Sequence, residues 1–187
     1  MPKPATQTHA SRKAQSRKAM CDAMLELLSE RSFDQIQITD LTARAAVGYA
    51  TFFRHFQTLA DVFDVVAGEE IRALLEMSIP LLSQSDSAVS TLALCRFVEL
   101  RRDLWRTLLV GGAAPRVRAE FVRQARVWAA REDERKGSVP IDLGTVCTAG
   151  ATIDALAWWL ERDASFDVEA LAKYIDRSII APFLSQR

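Results

Sequence analysis

Histidine, cysteine, glycine and proline are all scarce in this chain of 187 residues, and the shortages exclude a good deal. The two histidines, His9 and His55, sit in no His-Glu-x-x-His or Glu-x-x-His pattern, so zinc-protease and di-iron chemistry lack their ligands. The three cysteines, Cys21, Cys95 and Cys147, are odd in number and far apart. They form neither a metal-ligand spacing nor a disulfide framework, which fits a reducing cytosol. No Gly-rich phosphate loop and no Gly-x-Ser-x-Gly elbow occurs. The expectation is therefore a protein that is not an enzyme and needs no metal or cofactor. With only 7 glycines and 6 prolines, long stretches are free to be helical, which points to an all-α fold.

An excess of charge is also missing: 24 basic residues balance 24 acidic ones. A protein that coats nucleic acid without specificity is usually basic, so any such contact here must come from a local patch. The first basic residues are not followed by an apolar core, so no signal peptide is read and a cytoplasmic location is expected. The longest apolar stretch, Leu143 to Leu160, is interrupted by Asp154 and diluted by Gly144, Thr145, Thr148, Gly150 and Thr152. It reads as a buried helix, not a membrane span.

What is present is a hydrophobic content of 49%, enough for a packed core. Residues 1–15 contain Lys3, Arg12 and Lys13 and no acid, and read as a flexible basic arm. A first helix is expected from about Ser16 to Ser32, with Met20, Met24, Leu27 and Leu28 at helical spacing. After an extended link, Asp34 to Ile38, Thr39 is placed to cap a short helix from Asp40 to Ala45. The turn Ala46-Val47-Gly48 leads into another short helix, Tyr49 to Phe56. A long helix from Thr58 is expected to end at Pro80. The division is thus a head at 16–57 and a body at 58–187. In the body, Leu81 to Asp86 reads as a polar loop and Arg131 to Ser138 as a charged one. Its further helices are read at Ser87–Arg102, Leu104–Val110, Pro115–Glu134, Pro140–Arg162 and Val168–Leu184, which makes about nine in all.

Two short helices joined by a three-residue turn, with a third helix behind, form a helix-turn-helix. The second short helix is then the one that enters the DNA major groove. The stretch Ile38 to Phe56 closely resembles the signature of the tetracycline-repressor (TetR) family, roughly T-x-x-x-I-A-x-x-A-G-V-S-x-G-T-x-Y-x-H-F. Val47, Thr51, His55 and Phe56 match it directly, and Phe53 stands for the usual tyrosine. The resemblance implies an N-terminal three-helix DNA-binding domain and a C-terminal helical bundle that dimerises and binds a ligand. It implies that Thr39 caps its helix and meets a phosphate, and that Gly48, Tyr49 and Ala50 lie where bases are read. Thr51 and His55 would hold phosphate, and Arg44 would face the DNA backbone. Gly48 replaces the usual serine, Phe53 lacks the tyrosine hydroxyl, and Leu59 replaces the usual lysine. These losses leave open an alternative, a helical interaction module with weakened or lost DNA binding.

In the body, Ile141 to Leu160 is apolar nearly all round, as is a helix buried on more than one side. The adjacent Trp158 and Trp159 point about 100° apart. One helix lying between its own core and a second copy satisfies both, and Leu171 and Ile175 of the final helix are further candidates for that interface. A symmetric homodimer suits a reader of a palindromic operator in double-stranded DNA. Phe97, Trp105, Phe121 and Trp128, with Arg101 and Gln124 as polar neighbours, are candidates to line a pocket for a small apolar or aromatic ligand. The function expected is a repressor released by that ligand.

Overall fold

The computed structural model describes residues 9–84, 86–131, 140–162 and 166–185. Among them are helices and turns and no strand. The helices are α1 (His9–Glu30), α2 (Ile38–Arg44), α3 (Tyr49–Phe53), α4 (Leu59–Gln84), α5 (Ser87–Leu100), α6 (Arg102–Val110), α7 (Ala114–Arg131), α8 (Ile141–Leu160), α9 (Val168–Ile175) and α10 (Ala181–Leu184). A 3-10 turn (Phe33–Gln35) precedes α2, and a π-helical turn (Asp176–Ile180) joins α9 to α10. The chain divides into two compact units, and the division falls within α4, after Val66.

The first unit is built on the α1 stripe. Met20, Met24, Leu27 and Leu28 are fully or almost fully buried, together with Ile36, Leu41, Phe52, Phe56, Val62 and Phe63. The Phe33 and Phe63 rings meet at 4.7 Å and tie the turn after α1 to the start of α4. That start is closed by a reciprocal cap: Asp61 Oδ2 accepts the N–H groups of Gln57 and Thr58, both at 2.8 Å, and Thr58 Oγ1 accepts the Asp61 N–H.

Three sequence expectations change here. The helix α1 begins at His9, not near Ser16, so Arg12 and Lys13 stand on helix where a flexible arm was expected. Arg, Lys, Ala and Gln favour helix without needing a buried face. Lys3 lies outside the described residues. The second helix is capped by Gln37 and not by Thr39: Asp40 Oδ2 accepts the Gln37 N–H at 3.0 Å, completing a capping box. Aligned on Val47, Thr51, His55 and Phe56, the opening threonine of the TetR signature falls on Gln37. The long helix also continues through Pro80 to Gln84, where a stop and a polar loop were expected. A proline costs one backbone donor, and Ser90 Oγ secures the turn before it by donating to the Ser78 carbonyl at 2.7 Å.

In the second unit, α8 packs on α6 and α7, and α9 packs on α5. Trp105, Leu108, Val117, Phe121, Ile153, Leu156, Leu160, Leu171 and Ile175 are buried between these helices. Cys95 is buried as well, and burial pushes its thiol up to about 12. Two glycines of α8 permit close approach. A Cβ at Gly144 would run into the Phe183 ring, and one at Gly150 would meet the Arg118 guanidinium at 2.7 Å. Arg118 in turn pairs with Asp154 at 3.0 Å. At the other end of α8, Arg102 Nη2 donates to the carbonyls of Trp159 and Arg162, both at 2.8 Å, while its charge lies 4.2 Å from the Trp159 ring centre. Those carbonyls belong to the last turn, where helical partners run out. The π turn sits just before Pro182, which has no N–H to continue the α-helical ladder. The helix α8 is long and apolar enough to span a bilayer, but half of it is buried inside the chain.

Candidate nucleic-acid interface

The link between α2 and α3 is a left-handed helix cap. Ala46 has φ 52°, the only positive φ among the described non-glycine residues. Its N–H donates to the Ala43 carbonyl at 3.2 Å and the Val47 N–H donates to the Thr42 carbonyl at 3.0 Å. This is the Schellman arrangement, which favours glycine at the left-handed position. Gly48, by contrast, is an ordinary extended residue, φ −71° and ψ 148°, and its carbonyl accepts the Thr51 N–H at 2.8 Å. The nearest atom to a Cβ placed there would be Thr51 Oγ1 at 3.8 Å, so a serine fits.

Helix α3 buries Phe52 completely and turns Tyr49 and Phe53 outward, 55% and 50% exposed. Ala50 is exposed between them. The exposed rings are not loose. Tyr49 meets Phe53 edge-on at 5.2 Å, and Phe53 meets the buried Phe52 edge-on at 5.1 Å. Thr51 is half-buried, and its Oγ1 accepts from Arg54 Nη2 at 2.8 Å. His55 is half-buried too. Burial first, and then the nearby charges of Lys13, Arg17 and Arg54, hold its imidazole below the ordinary histidine value. Arg17 is positioned by Phe56, whose ring centre lies 4.6 Å from its guanidinium carbon. The helix-turn-helix is thus bordered by three cations.

Two of those cations come from α1, far away in sequence, and no local pattern connects them with α3. Arg54 lies inside the motif but carries no signature residue. Of the expected DNA contacts, Gly48, Tyr49, Ala50, Thr51 and His55 gather on and beside α3, and Thr39 is exposed on α2. Arg44 is corrected. Its two terminal nitrogens each lie 2.9 Å from a Glu30 oxygen, and Nη1 also reaches Glu26 at 3.2 Å. This fork raises the guanidinium above its ordinary value and lowers the Glu30 carboxyl. Arg44 therefore braces α2 against α1, with three of its five donors engaged by the two glutamates.

The body residues separate as well. Trp159, Leu171 and Ile175 are at most 2% exposed within a single chain, so they do not face a second copy as expected. Each lies on the inner side of its helix, and the Trp159 Nε1 donates to the Phe166 carbonyl at 2.9 Å. Trp158 is 43% exposed, with Leu143 and Tyr174 more so. Arg162 lies over the Trp158 ring at 3.8 Å, and Phe166 meets it edge-on at 5.7 Å. Among the six pocket candidates, Trp105 and Phe121 are buried. Phe97, half-buried, meets Trp105 at 6.3 Å. Gln124 donates to the Gly68 carbonyl at 2.9 Å and to Glu120 at 2.7 Å. Arg101 pairs with the buried Glu70, and Trp128 is half-buried. The buried Trp105 Nε1 has no acceptor among the described residues. A hollow of about 240 Å³ lies elsewhere, lined by Leu109, Pro115, Arg118, Ile153, Asp154 and Ala157 among others.

A helix-turn-helix unit followed by a second all-helical unit is the architecture of one class of transcriptional regulators. The family model described as bacterial regulatory proteins, tetR family, matches residues 21–66, and several solved structures that share the fold are TetR-family regulators. A TetR transcriptional regulator from Streptococcus agalactiae is 21% identical, with 90% of this chain and 95% of that one covered and a TM-score of 0.66. RolR without ligand is 21% identical over 87% of this chain and 89% of its own, with a TM-score of 0.60; it is also known in complex with resorcinol. Thermus thermophilus FadR, a TetR-family repressor in complex with lauroyl-CoA, is 18% identical over 88% and 93%, with a TM-score of 0.57. At these identities the likeness is one of fold. No curated protein matches the sequence significantly.

Proposed function

We propose that this protein is a homodimeric, cytoplasmic transcriptional regulator that binds a palindromic operator in double-stranded DNA and is released by a small apolar or aromatic ligand. The observation that carries the DNA-binding reading is the exposed face of α3, Tyr49, Ala50 and Phe53, bordered by Lys13, Arg17, Arg54 and His55 in a chain with no net charge. A local concentration of cations around an exposed helix is the electrostatic footprint of a duplex reader. In this reading Thr39, Thr51, His55 and the three cations position the protein on phosphates, and Gly48, Tyr49 and Ala50 meet base edges.

Two half-sites require two heads. The exposed apolar stripe Leu143, Cys147 and Trp158 on α8, with Tyr174 exposed on α9, is the surface offered to the second copy. The ligand reading draws support from Trp105. A buried indole N–H without an acceptor costs roughly 1–3 kcal/mol, and a ligand with a carbonyl or hydroxyl oxygen would satisfy it. RolR with resorcinol and FadR with lauroyl-CoA are structural neighbours that hold aromatic and acyl ligands. The test is a gel shift of the full chain on the DNA upstream of its own gene, with sedimentation to count the copies bound. A discrete dimer complex competed poorly by random duplex supports the reading; indifference to sequence favours an interaction module.

A further inference from the structure

We infer that α3 reads the 5-methyl groups of thymine in the major groove, through a rigid apolar edge formed by Tyr49, Ala50 and Phe53. The inference rests on the head being a duplex reader and adds what it reads. The helix runs Tyr49-Ala50-Thr51-Phe52-Phe53 and contains no Arg, Lys, Asn, Gln, Asp or Glu. The side chains that pair with guanine, adenine and cytosine in the major groove are Arg or Lys, Asn or Gln, and the carboxylates, respectively. All are missing from this helix. Arg54 follows it, but its Nη2 is bonded to Thr51 Oγ1 at 2.8 Å, and its charge stands with Lys13 and Arg17 around His55. That places it with the phosphate-facing group.

What remains on the open side is a phenol ring, a methyl group and a phenyl ring. The major-groove feature an apolar surface can recognise is the thymine methyl. The aromatic edge is also braced in advance. The ladder Tyr49 to Phe53 to buried Phe52, at 5.2 and 5.1 Å, limits the rotamer freedom that binding would otherwise remove. The bordering cations select a polyanion as the occupant of this apolar edge, in preference to an apolar protein surface.

The probe is a duplex enriched by the full chain from a random library. Each thymine in the footprint is then replaced by deoxyuridine, which removes the methyl and leaves the base-pairing groups intact. Affinity should fall about four-fold for each contacted methyl, the worth of one buried carbon, with no change for thymines outside the footprint. Replacing a contacted T·A pair by C·G should weaken binding, and 5-methylcytosine at that position should recover part of the loss. Tyr49→Ala and Phe53→Ala, both at exposed positions, should erase the difference between thymine and deoxyuridine, whereas Thr51→Ala should lower affinity and keep it. Equal affinity for thymine and deoxyuridine duplexes overturns this inference alone. So does an enriched site with no thymine in the footprint. Failure to enrich any duplex overturns the reading of the head as well.

Discussion

The guanidinium of Arg17 lies 4.6 Å from the centre of the Phe56 ring, so the first helix delivers a cation to the foot of α3. Phe56 is itself almost fully buried, which makes it a fixed platform for that charge. Lys13, one turn earlier on α1, acts on the same histidine. If both cations meet phosphates, the double variant Lys13→Ala/Arg17→Ala should flatten the dependence of log affinity on log salt by roughly 1.8, at about 0.9 for each lost contact. Anisotropy titrations across a salt series measure this, with melting curves to show that the head stays folded. An unchanged slope would return both residues to plain solvated positions.

His55 gives a pH dependence with a definite sign. Burial and the surrounding cations lower its folded value beneath the ordinary 6.5, so the unfolded chain takes up a proton more readily than the folded one. Stability is then fully present above the unfolded value and is lost as pH falls from there towards the lowered folded value. His55→Gln should reduce that acid-side loss in thermal melts. DNA should reverse the trend: a phosphate beside the imidazole favours the cation, so affinity rises on mild acidification in the wild type and less so in the variant. A wild type whose melting temperature ignores pH in this window contradicts the assignment.

Ala46 carries strain that glycine would remove. A left-handed backbone costs a residue with a Cβ roughly 1–2 kcal/mol, offset in part by the greater unfolded-state freedom of glycine. Ala46→Gly should therefore stabilise the head by roughly 0.5–1 kcal/mol. Denaturant unfolding decides it, and a lower midpoint would refute the strain.

Trp158 and Ile175 should respond in opposite ways to the same charge. Trp158 is 43% exposed and Ile175 is fully buried. Trp158→Asp should yield a folded monomer by sedimentation and circular dichroism. Ile175→Asp should unfold the body, because burying an unpaired carboxylate costs several kcal/mol as an order of magnitude. A Trp158→Asp protein that remains a dimer would place the contact elsewhere.

Much of this was legible in the sequence, and the exceptions have physical causes. Met20, Met24, Leu27 and Leu28 announce α1 because they must share one buried face, and the residues from Val47 to Phe56 announce α3 by type and spacing. The first turns of α1 have no periodic mark in the sequence because Arg12, Lys13 and Gln15 form helix while exposed. The cap at Gln37 depends on the position of the Asp40 carboxylate, which residue type alone does not announce. The pairing of Trp158 and Trp159 showed that they diverge, yet only packing on α6 and the bond to Phe166 decide that Trp159 is the inner one. The pairing of Arg44 with Glu26 and Glu30, 18 and 14 residues away, has no local mark in the sequence. The cations beside His55 come together through tertiary structure and have no local signature.

The central claim, that α3 carries the sequence reading, is tested most directly by measuring the affinities of three proteins for every single-base variant of an enriched operator. The proteins are the wild type, Tyr49→Ala and Thr51→Ala. Base contacts specify and phosphate contacts position, so Tyr49→Ala should abolish discrimination at one or more positions, while Thr51→Ala should weaken all variants by a similar factor. A Tyr49→Ala protein that keeps every wild-type preference would contradict the account.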